Sequence, residues 1–288
     1  MKTAADLPAA SAGDGNGPRG EVLAGRQWLA AHLHDPRVRV IEVDVSPAAY
    51  NDWHIDGAVL WNVYGDLKDV GYRTVGTEAL QRIITRSGIG PESTVVFYGY
   101  APALGLWLMR RYGHRDARIL DCSRDRWRAD GYPWTTAASQ PPPGTFLLGA
   151  EDPGVRADQA TVLGAIGRRG TTLVDVRSAA EYRGEFFWPS GGAEPGGRAG
   201  HIPSAVHQPV DGLYDPDGSF RPAAELRGLF SPAVLDSDSD LITYCTIGGR
   251  AATAWFVLSH LLGRDRVRVY DGSWAEWGRA PGTPVAAP

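Results

Sequence analysis

The chain has 288 residues, 43% of them apolar and 22% charged, with a formal net charge of −4 and a pI near 6.0. That is enough chain for one large soluble domain or two ordinary ones, and the mild acidity points to neither nucleic acid nor a membrane surface as the main partner. Two cysteines, Cys122 and Cys245, make no disulfide framework, and seven scattered histidines with no CxxC or HxxxH pair make no metal site.

Residues 1–18 are rich in Ala, Gly, Ser and Asp and read as a mobile tail. They lack the apolar core of a secretory signal, and no window reaches the ~18 apolar residues of a membrane span. With so few cysteines, a reducing, cytoplasmic setting is expected. Four short motifs follow in the first half: the strand Val40-Ile41-Glu42-Val43-Asp44, the turn His54-Ile55-Asp56-Gly57-Ala58-Val59, the strand Val95-Val96-Phe97-Tyr98-Gly99, and Arg118-Ile119-Leu120-Asp121 with Trp127 six residues on. Thr135 to Pro153 holds Gln140-Pro141-Pro142-Pro143-Gly144, the composition of a semi-rigid extended linker. The expected organisation is therefore a first domain over 19–136, a linker over 137–154 and a second domain over 155–288. Asp158 is placed to cap a helix running to Ile166. Strands near 172–176, 205–209, 241–244 and 267–270 alternate with helices near 158–168, 178–182, 222–229, 250–262 and 273–277. The alternation predicts an α/β fold, a mostly parallel sheet with helices on both faces and functional loops at the carboxyl ends of the strands.

The halves echo each other. Val40–Asp44 matches Leu173-Val174-Asp175-Val176-Arg177, His54–Val59 matches His201-Ile202-Pro203-Ser204-Ala205-Val206, Val95–Gly99 matches Leu241-Ile242-Thr243-Tyr244-Cys245, and Arg118–Asp121 with Trp127 matches Arg268-Val269-Tyr270-Asp271 with Trp277. The last three pairs are offset by 147, 146 and 150 residues. Four pairs in one order at nearly constant offset indicate a duplicated domain.

Cys245 is the first residue of a tight loop, Cys245-Thr246-Ile247-Gly248-Gly249-Arg250, between an apolar strand and the helix pattern Ala251–Leu262. The loop's N–H groups and the helix N-terminus favour a thiolate there, and the glycines let the loop curl around the sulfur. Arg250 closes the loop and adds charge. In the first half Gly99 stands where Cys245 stands, so that half has no thiol at the matching place.

These residues resemble the tandem-domain rhodaneses, the thiosulfate and 3-mercaptopyruvate sulfurtransferases, over roughly residues 20–283. The markers are Asp175-Val176-Arg177 with Glu181-Tyr182, Gly200-His201-Ile202-Pro203-Ser204-Ala205, the Cys245–Arg250 loop, and Tyr270-Asp271-Gly272-Ser273-Trp274 with Trp277. The resemblance implies two rhodanese-like domains, the first catalytically inactive. It also implies that Cys245 takes a sulfane sulfur from thiosulfate or a related donor, becomes a persulfide, and passes the sulfur to a thiophilic acceptor such as cyanide, a thiol or a sulfur-carrier protein. Backbone N–H groups from Thr246, Ile247, Gly248, Gly249 and Arg250 would hold the persulfide. No cofactor is implied.

Further candidates are weighed on their sequence context. Some family members carry an arginine where Glu181 stands, and Arg183 and Arg198 are the candidates to replace it toward an anionic donor. Glu181 is also within ion-pair reach of Arg177 if that segment is helical. Trp274 is a candidate wall of the site. Asp175 and Arg177 are expected to pair and hold the sheet edge, His201 to be structural like His54, and Cys122 to be structural. Thr246 replaces a basic residue common in thiosulfate-using relatives. Loss of that cation would weaken donor capture by ~1.5–3 kcal/mol, roughly 10–150-fold. The loop also lacks the Gly-Ser-Gly or Gly-Thr-Gly pattern of the mercaptopyruvate group. Two rivals come from other classes: a phosphatase or arsenate reductase, whose loop is Cys-x5-Arg where this one is Cys-x4-Arg, and a non-catalytic sulfur-carrier-binding module.

Overall fold

The computed structural model describes residues 21–236 and 238–287; the expected tail over 1–18 lies outside them. The first half holds β1 (Leu23–Ala24), α1 (Arg26–His32), β2 (Val38–Asp44), α2 (Pro47–Asp52), β3 (His54–Ile55), β4 (Val59–Asn62), α3 (Thr77–Arg86), β5 (Thr94–Gly99), α4 (Pro102–Arg111), β6 (Ala117–Leu120), α5 (Arg124–Ala129) and β7 (Trp134–Thr135). The second holds β8 (Arg156–Ala157), α6 (Gln159–Ala165), β9 (Thr171–Asp175), α7 (Ala179–Arg183), β10 (Val206–His207), α8 (Ala223–Leu229), α9 (Pro232–Leu235), β11 (Asp240–Tyr244), α10 (Gly249–Phe256), β12 (Val267–Tyr270) and α11 (Ser273–Trp277).

Each half builds one five-stranded parallel sheet. The orders are β4-β2-β5-β6-β1 and β10-β9-β11-β12-β8, the same arrangement in corresponding strands. The central strands are apolar throughout because helices cover both faces: Val95, Val96 and Phe97, like Leu241 and Ile242, have no exposed surface. Asp158 caps α6 as expected, accepting from Thr161 N at 2.8 Å. The helix expected over 250–262 divides into α10 and a π-helical turn over Val257–Leu261, closed by Leu262 N to Val257 O. The edge strand β8 and the short α9 were not foreseen, because two- and four-residue elements carry no periodicity.

The duplication extends to single hydrogen bonds. Tyr50 OH donates to Ala58 O and its ring stacks on His54; Tyr182 OH donates to Ala205 O and stacks on His201. Ile55 N donates to Tyr98 OH as Ile202 N does to Tyr244 OH, and Trp127 and Trp277 each cap a proline carbonyl. His54 and His201 are therefore structural. One site is filled differently. Arg177 donates to Gly200 O at 2.6 Å and lies over Trp274 at 4.5 Å, whereas in the first half Arg124, from the position matching Trp274, donates to Trp53 O and lies over Trp53 at 4.1 Å. The same guanidinium place is reached from a different point in the chain.

The halves interlock reciprocally. The segment Lys68–Thr74 reaches Asp271, where Thr74 N and Oγ1 donate to Oδ2 at 2.7 and 2.9 Å; the segment Tyr214–Phe220 reaches Asp121, where Phe220 N donates to Oδ1 at 2.8 Å. Helices α4 and α10, both deeply buried, pack on each other between them. The linker lies along the first domain, with Gly144 N, Phe146 N and Gly149 N donating to Thr85 O, Ile89 O and Tyr112 O.

Candidate active site

Cys245 leaves the carboxyl end of β11, flanked in the sheet by β9 and β12, and is buried. Its loop turns back because Gly248 adopts φ +93°, a left-handed conformation that costs an L residue roughly 1–2 kcal/mol. That turn aims Gly248 N at the Cys245 sulfur, 3.1 Å away. The loop is held from behind by the start of α11: Ser273 Oγ accepts from Cys245 N at 3.1 Å, Trp274 N donates to Cys245 O and Ala275 N to Thr246 O, both at 2.9 Å. Ser273 is itself at φ +52°, fixed by a 2.7 Å bond from its hydroxyl to Tyr270 O. Its counterpart Ser123, at φ −69°, is unstrained. Strain of this kind persists where the surroundings over-determine the backbone, and here it sits beside the thiol.

Arg250 does not present a free charge. Its Nη1 and Nη2 donate to Glu181 Oε2 and Oε1 at 2.8 and 2.7 Å, a bidentate pair, and Thr246 Oγ1 donates to Glu181 Oε1 at 2.6 Å. Ser178 and Glu181 complete a capping box at the head of α7. Burial alone would raise the Glu181 pKa, but the bonds and charge of Arg250, with Thr246 and Ser178, outweigh it and hold the carboxylate at about 2.

Above the sulfur lies a cavity of about 340 Å³ between the halves. The first domain contributes Val45, Tyr64, Tyr72 and Tyr100; the second contributes Trp188, Pro189, Ser190 and the loop itself. Tyr64, Tyr72 and Trp188 form a chain of ring contacts at 6.3 and 5.5 Å. Tyr100 occupies the position after Gly99, matching Thr246, so the loop without a thiol supplies a wall to the loop that has one. Lys68, also from the first domain, is buried behind the loop and donates from Nζ to Asp271 O at 2.8 Å. Burial pushes its pKa down, against the charges of Asp271 and Cys245.

Both expected repeats match the rhodanese-like domain family, over residues 25–130 and 158–280. The chain belongs to the rhodanese family. It is 40% identical over 276 residues to the "Sulfur carrier protein TtuD" of Thermus thermophilus, covering 92% of this chain and 96% of that one. It is 37% identical over 276 residues to a "Putative thiosulfate sulfurtransferase" of Saccharopolyspora erythraea, covering 94% and 98%. Among solved structures, YnjE matches with a TM-score of 0.78 at 26% identity, over 94% of this chain and 69% of that one. The anaerobic ergothioneine biosynthesis enzyme of Chlorobium limicola shares the fold with a TM-score of 0.80 at 23% identity, over 93% and 71%.

Within this rhodanese site the structure gathers Cys245, Thr246, Ile247, Gly248, Gly249 and Arg250 and leaves four candidates outside. Arg183 is half-exposed and paired with Glu185 at 2.7 Å. Arg198 is turned to the carbonyls of Trp277, Gly278, Ala280 and Thr283. Trp274 is wholly buried beneath Arg177. Asp175 forms a fully buried 2.6 Å pair with Arg177, inside the sheet rather than at its edge. Glu181, within sequence reach of Arg177, pairs with Arg250 instead, because α7 begins at Ala179 and Arg177 lies before it. Cys122 and Cys245 are both free, and burial pushes the Cys122 thiol up to about 12. Among the described residues no helix is long and apolar enough to cross a membrane, and no group of His, Cys, Asp or Glu is arranged to hold a metal. Sequence reasoning missed Lys68, Tyr64, Tyr72, Tyr100 and Trp188. Four of these come from the half without the thiol, and only the equivalence of the two loops could have drawn attention to Tyr100.

Proposed function

We propose that this rhodanese is a sulfurtransferase in which Cys245 carries the sulfur, with thiosulfate as the donor. The observation that supports it best is the Gly248 N–H aimed at the Cys245 sulfur at the floor of the interdomain cavity. The Cys245 thiolate attacks the outer sulfur of thiosulfate. A Cys–S–S bond forms, the donor's S–S bond breaks, and sulfite leaves with the bonding electron pair. A nucleophilic acceptor, a thiolate or a sulfur-carrier protein, then attacks the outer persulfide sulfur and the Cys245 thiolate is restored. The curled loop offers N–H groups to the outer sulfur as an oxyanion hole does to oxygen, and the aromatic walls keep water from the persulfide.

The first domain is proposed to have no sulfur-transfer role of its own. A Cβ on Gly99 would lie 2.9 Å from Val43 O, at a backbone φ of +102°, so a cysteine is excluded there by geometry. A phosphatase reading is disfavoured by Arg250, whose guanidinium is committed to Glu181.

Intact-protein mass spectrometry after incubation with thiosulfate, and separately with 3-mercaptopyruvate, tests the proposal. A gain of about 32 Da, one sulfur atom, is expected from thiosulfate and is expected to vanish in Cys245→Ala. A gain from 3-mercaptopyruvate alone would reassign the donor. No gain from either would leave the chain as a sulfur-carrier-binding module.

A further inference from the structure

On the far side of the α4–α10 contact from the thiol loop's cavity wall residues, a second cavity of about 430 Å³ opens where the end of α4, the linker and the π-helical turn meet. Arg110, His114 and Arg115 line it from the first domain, Asp152 from the linker, and Trp255 and His260 from the second domain. We propose that this cavity binds a doubly charged tetrahedral oxyanion of the phosphate–sulfate class, held by the guanidinium groups of Arg110 and Arg115.

Three buried nitrogens among these residues have no hydrogen-bond partner: Arg110 Nε, His114 Nδ1 and His260 Nε2. Leaving a buried donor unpaired costs about 1–3 kcal/mol, more for a charged group, so one such atom calls for a partner and three on a single cavity call for a common one. The side chains of Arg110 and Arg115 make no hydrogen bond or ion pair with any described residue. Other acids nearby are already engaged: Asp116 by Arg118 and Thr94, and Asp152 Oδ1 by Gly154 N at 2.7 Å.

The charge balance suits a dianion. Burial pushes both histidines down, His260 to about 4, so at neutral pH the cavity's fixed positive charge comes from the two arginines. The end of a helix is ordinarily a poor place for an anion. Here the last carbonyls of α4 are turned to other partners, Met109 O accepting from His114 N and Arg110 O from Gly113 N. Arginine forks match two oxygens of a tetrahedral anion, and a partly buried setting strengthens each bond.

The test is a calorimetric titration of the full chain with inorganic phosphate and with sulfate, at ionic strength matched with chloride, on wild type, Arg115→Gln and Arg110→Gln/Arg115→Gln. Saturable binding by wild type and at least a roughly tenfold loss in Arg115→Gln are expected, since one charge-assisted bond is removed. Nitrogen-15 spectra should show the His260 ring moving with phosphate in wild type only. The proposal is overturned if wild type shows no saturable binding, or if binding survives in the double variant, which would place the anion elsewhere. Persulfide formation on Cys245 in phosphate-free buffer should be unchanged in Arg115→Gln, so the two sites are judged separately.

Discussion

Lys68 Nζ and the main-chain oxygen of Asp271 are 2.8 Å apart across the two halves, and this contact sets a buried ammonium against the back of the thiol loop. A Cβ on Gly248 would lie 3.2 Å from that Nζ and 2.8 Å from Asp271 O. Because Arg250 is neutralised by Glu181, Lys68 supplies the cation that the loop sequence itself does not. Asp271 is balanced separately: burial would raise its pKa, but the charges of Lys68 and Arg156 and the bonds of Thr74 and Arg156 hold it at about 2.

Lys68→Met, which keeps the side chain's length and removes its charge, is therefore predicted to slow persulfide formation from thiosulfate by roughly 10-fold or more, the value of one partly desolvated charge-assisted contact. Lys68→Arg should recover part of the rate. Rapid-quench mass spectrometry reads it, with the thermal midpoint as a control. Equal rates for Lys68→Met and wild type would remove Lys68 from the chemistry.

Glu181 makes the loop's stability depend on pH in a definable window. Its folded pKa of about 2 lies below its ordinary 4.5, so the stabilisation is fully present above about 4.5 and lost as pH falls toward 2. The shift corresponds to about 3 kcal/mol. Urea midpoints of wild type and Glu181→Gln should differ near pH 7 and converge as pH is lowered through that window. A difference independent of pH would mean that Glu181 acts through packing rather than charge.

Gly248→Ala tests the turn. The new methyl would force an L residue to φ +93° and press on Asp271 O and Lys68 at once. Strain of about 1–3 kcal/mol at this position is expected, together with loss of the 3.1 Å bond from its N–H to Cys245. Persulfide yield after thiosulfate should fall sharply while Gly228→Ala, whose Cβ would meet nothing, leaves it intact. If both variants keep wild-type yield, the N–H at 248 does not hold the sulfur.

How much of this was legible in the sequence depended on whether the information was local. Strand β11, the Cys245 loop and the start of α10 were readable because apolar run, glycines and helix pattern lie side by side in the chain. The duplication was readable because Asp121 and Asp271, and His54 and His201, keep their type. The exchange of Arg177 for Arg124 was hidden because the two guanidinium groups fill one place from non-equivalent positions. The partner of Glu181 was misjudged for a related reason: helical spacing favoured Arg177, but the chain is extended there and folds Arg250 onto the carboxylate. The cavity's aromatic wall was invisible because Tyr64, Tyr72 and Tyr100 meet Trp188 only after the halves dock.

Thr246 is where sequence and structure lead to opposite predictions. By residue type alone it marks a missing cation, and Thr246→Arg should speed capture of a dianionic donor. In the folded protein Thr246 is buried, donates to Glu181 at 2.6 Å and accepts from Arg250 at 2.9 Å. An arginine there would have to displace a hydroxyl from an almost closed network and set a second guanidinium beside Arg250, sharing one carboxylate between two cations. Overpacking of this kind typically costs 1–3 kcal/mol, and the like charges would loosen the loop further. Thr246→Arg is therefore predicted to lower both the thermal midpoint and the rate of thiosulfate-dependent persulfide formation, whereas Thr246→Ser, which keeps the hydroxyl, should stay near wild type. A Thr246→Arg protein that gains activity would show that the loop opens enough to bring a new cation to the donor, and that the Glu181–Arg250 pair does not fix its geometry.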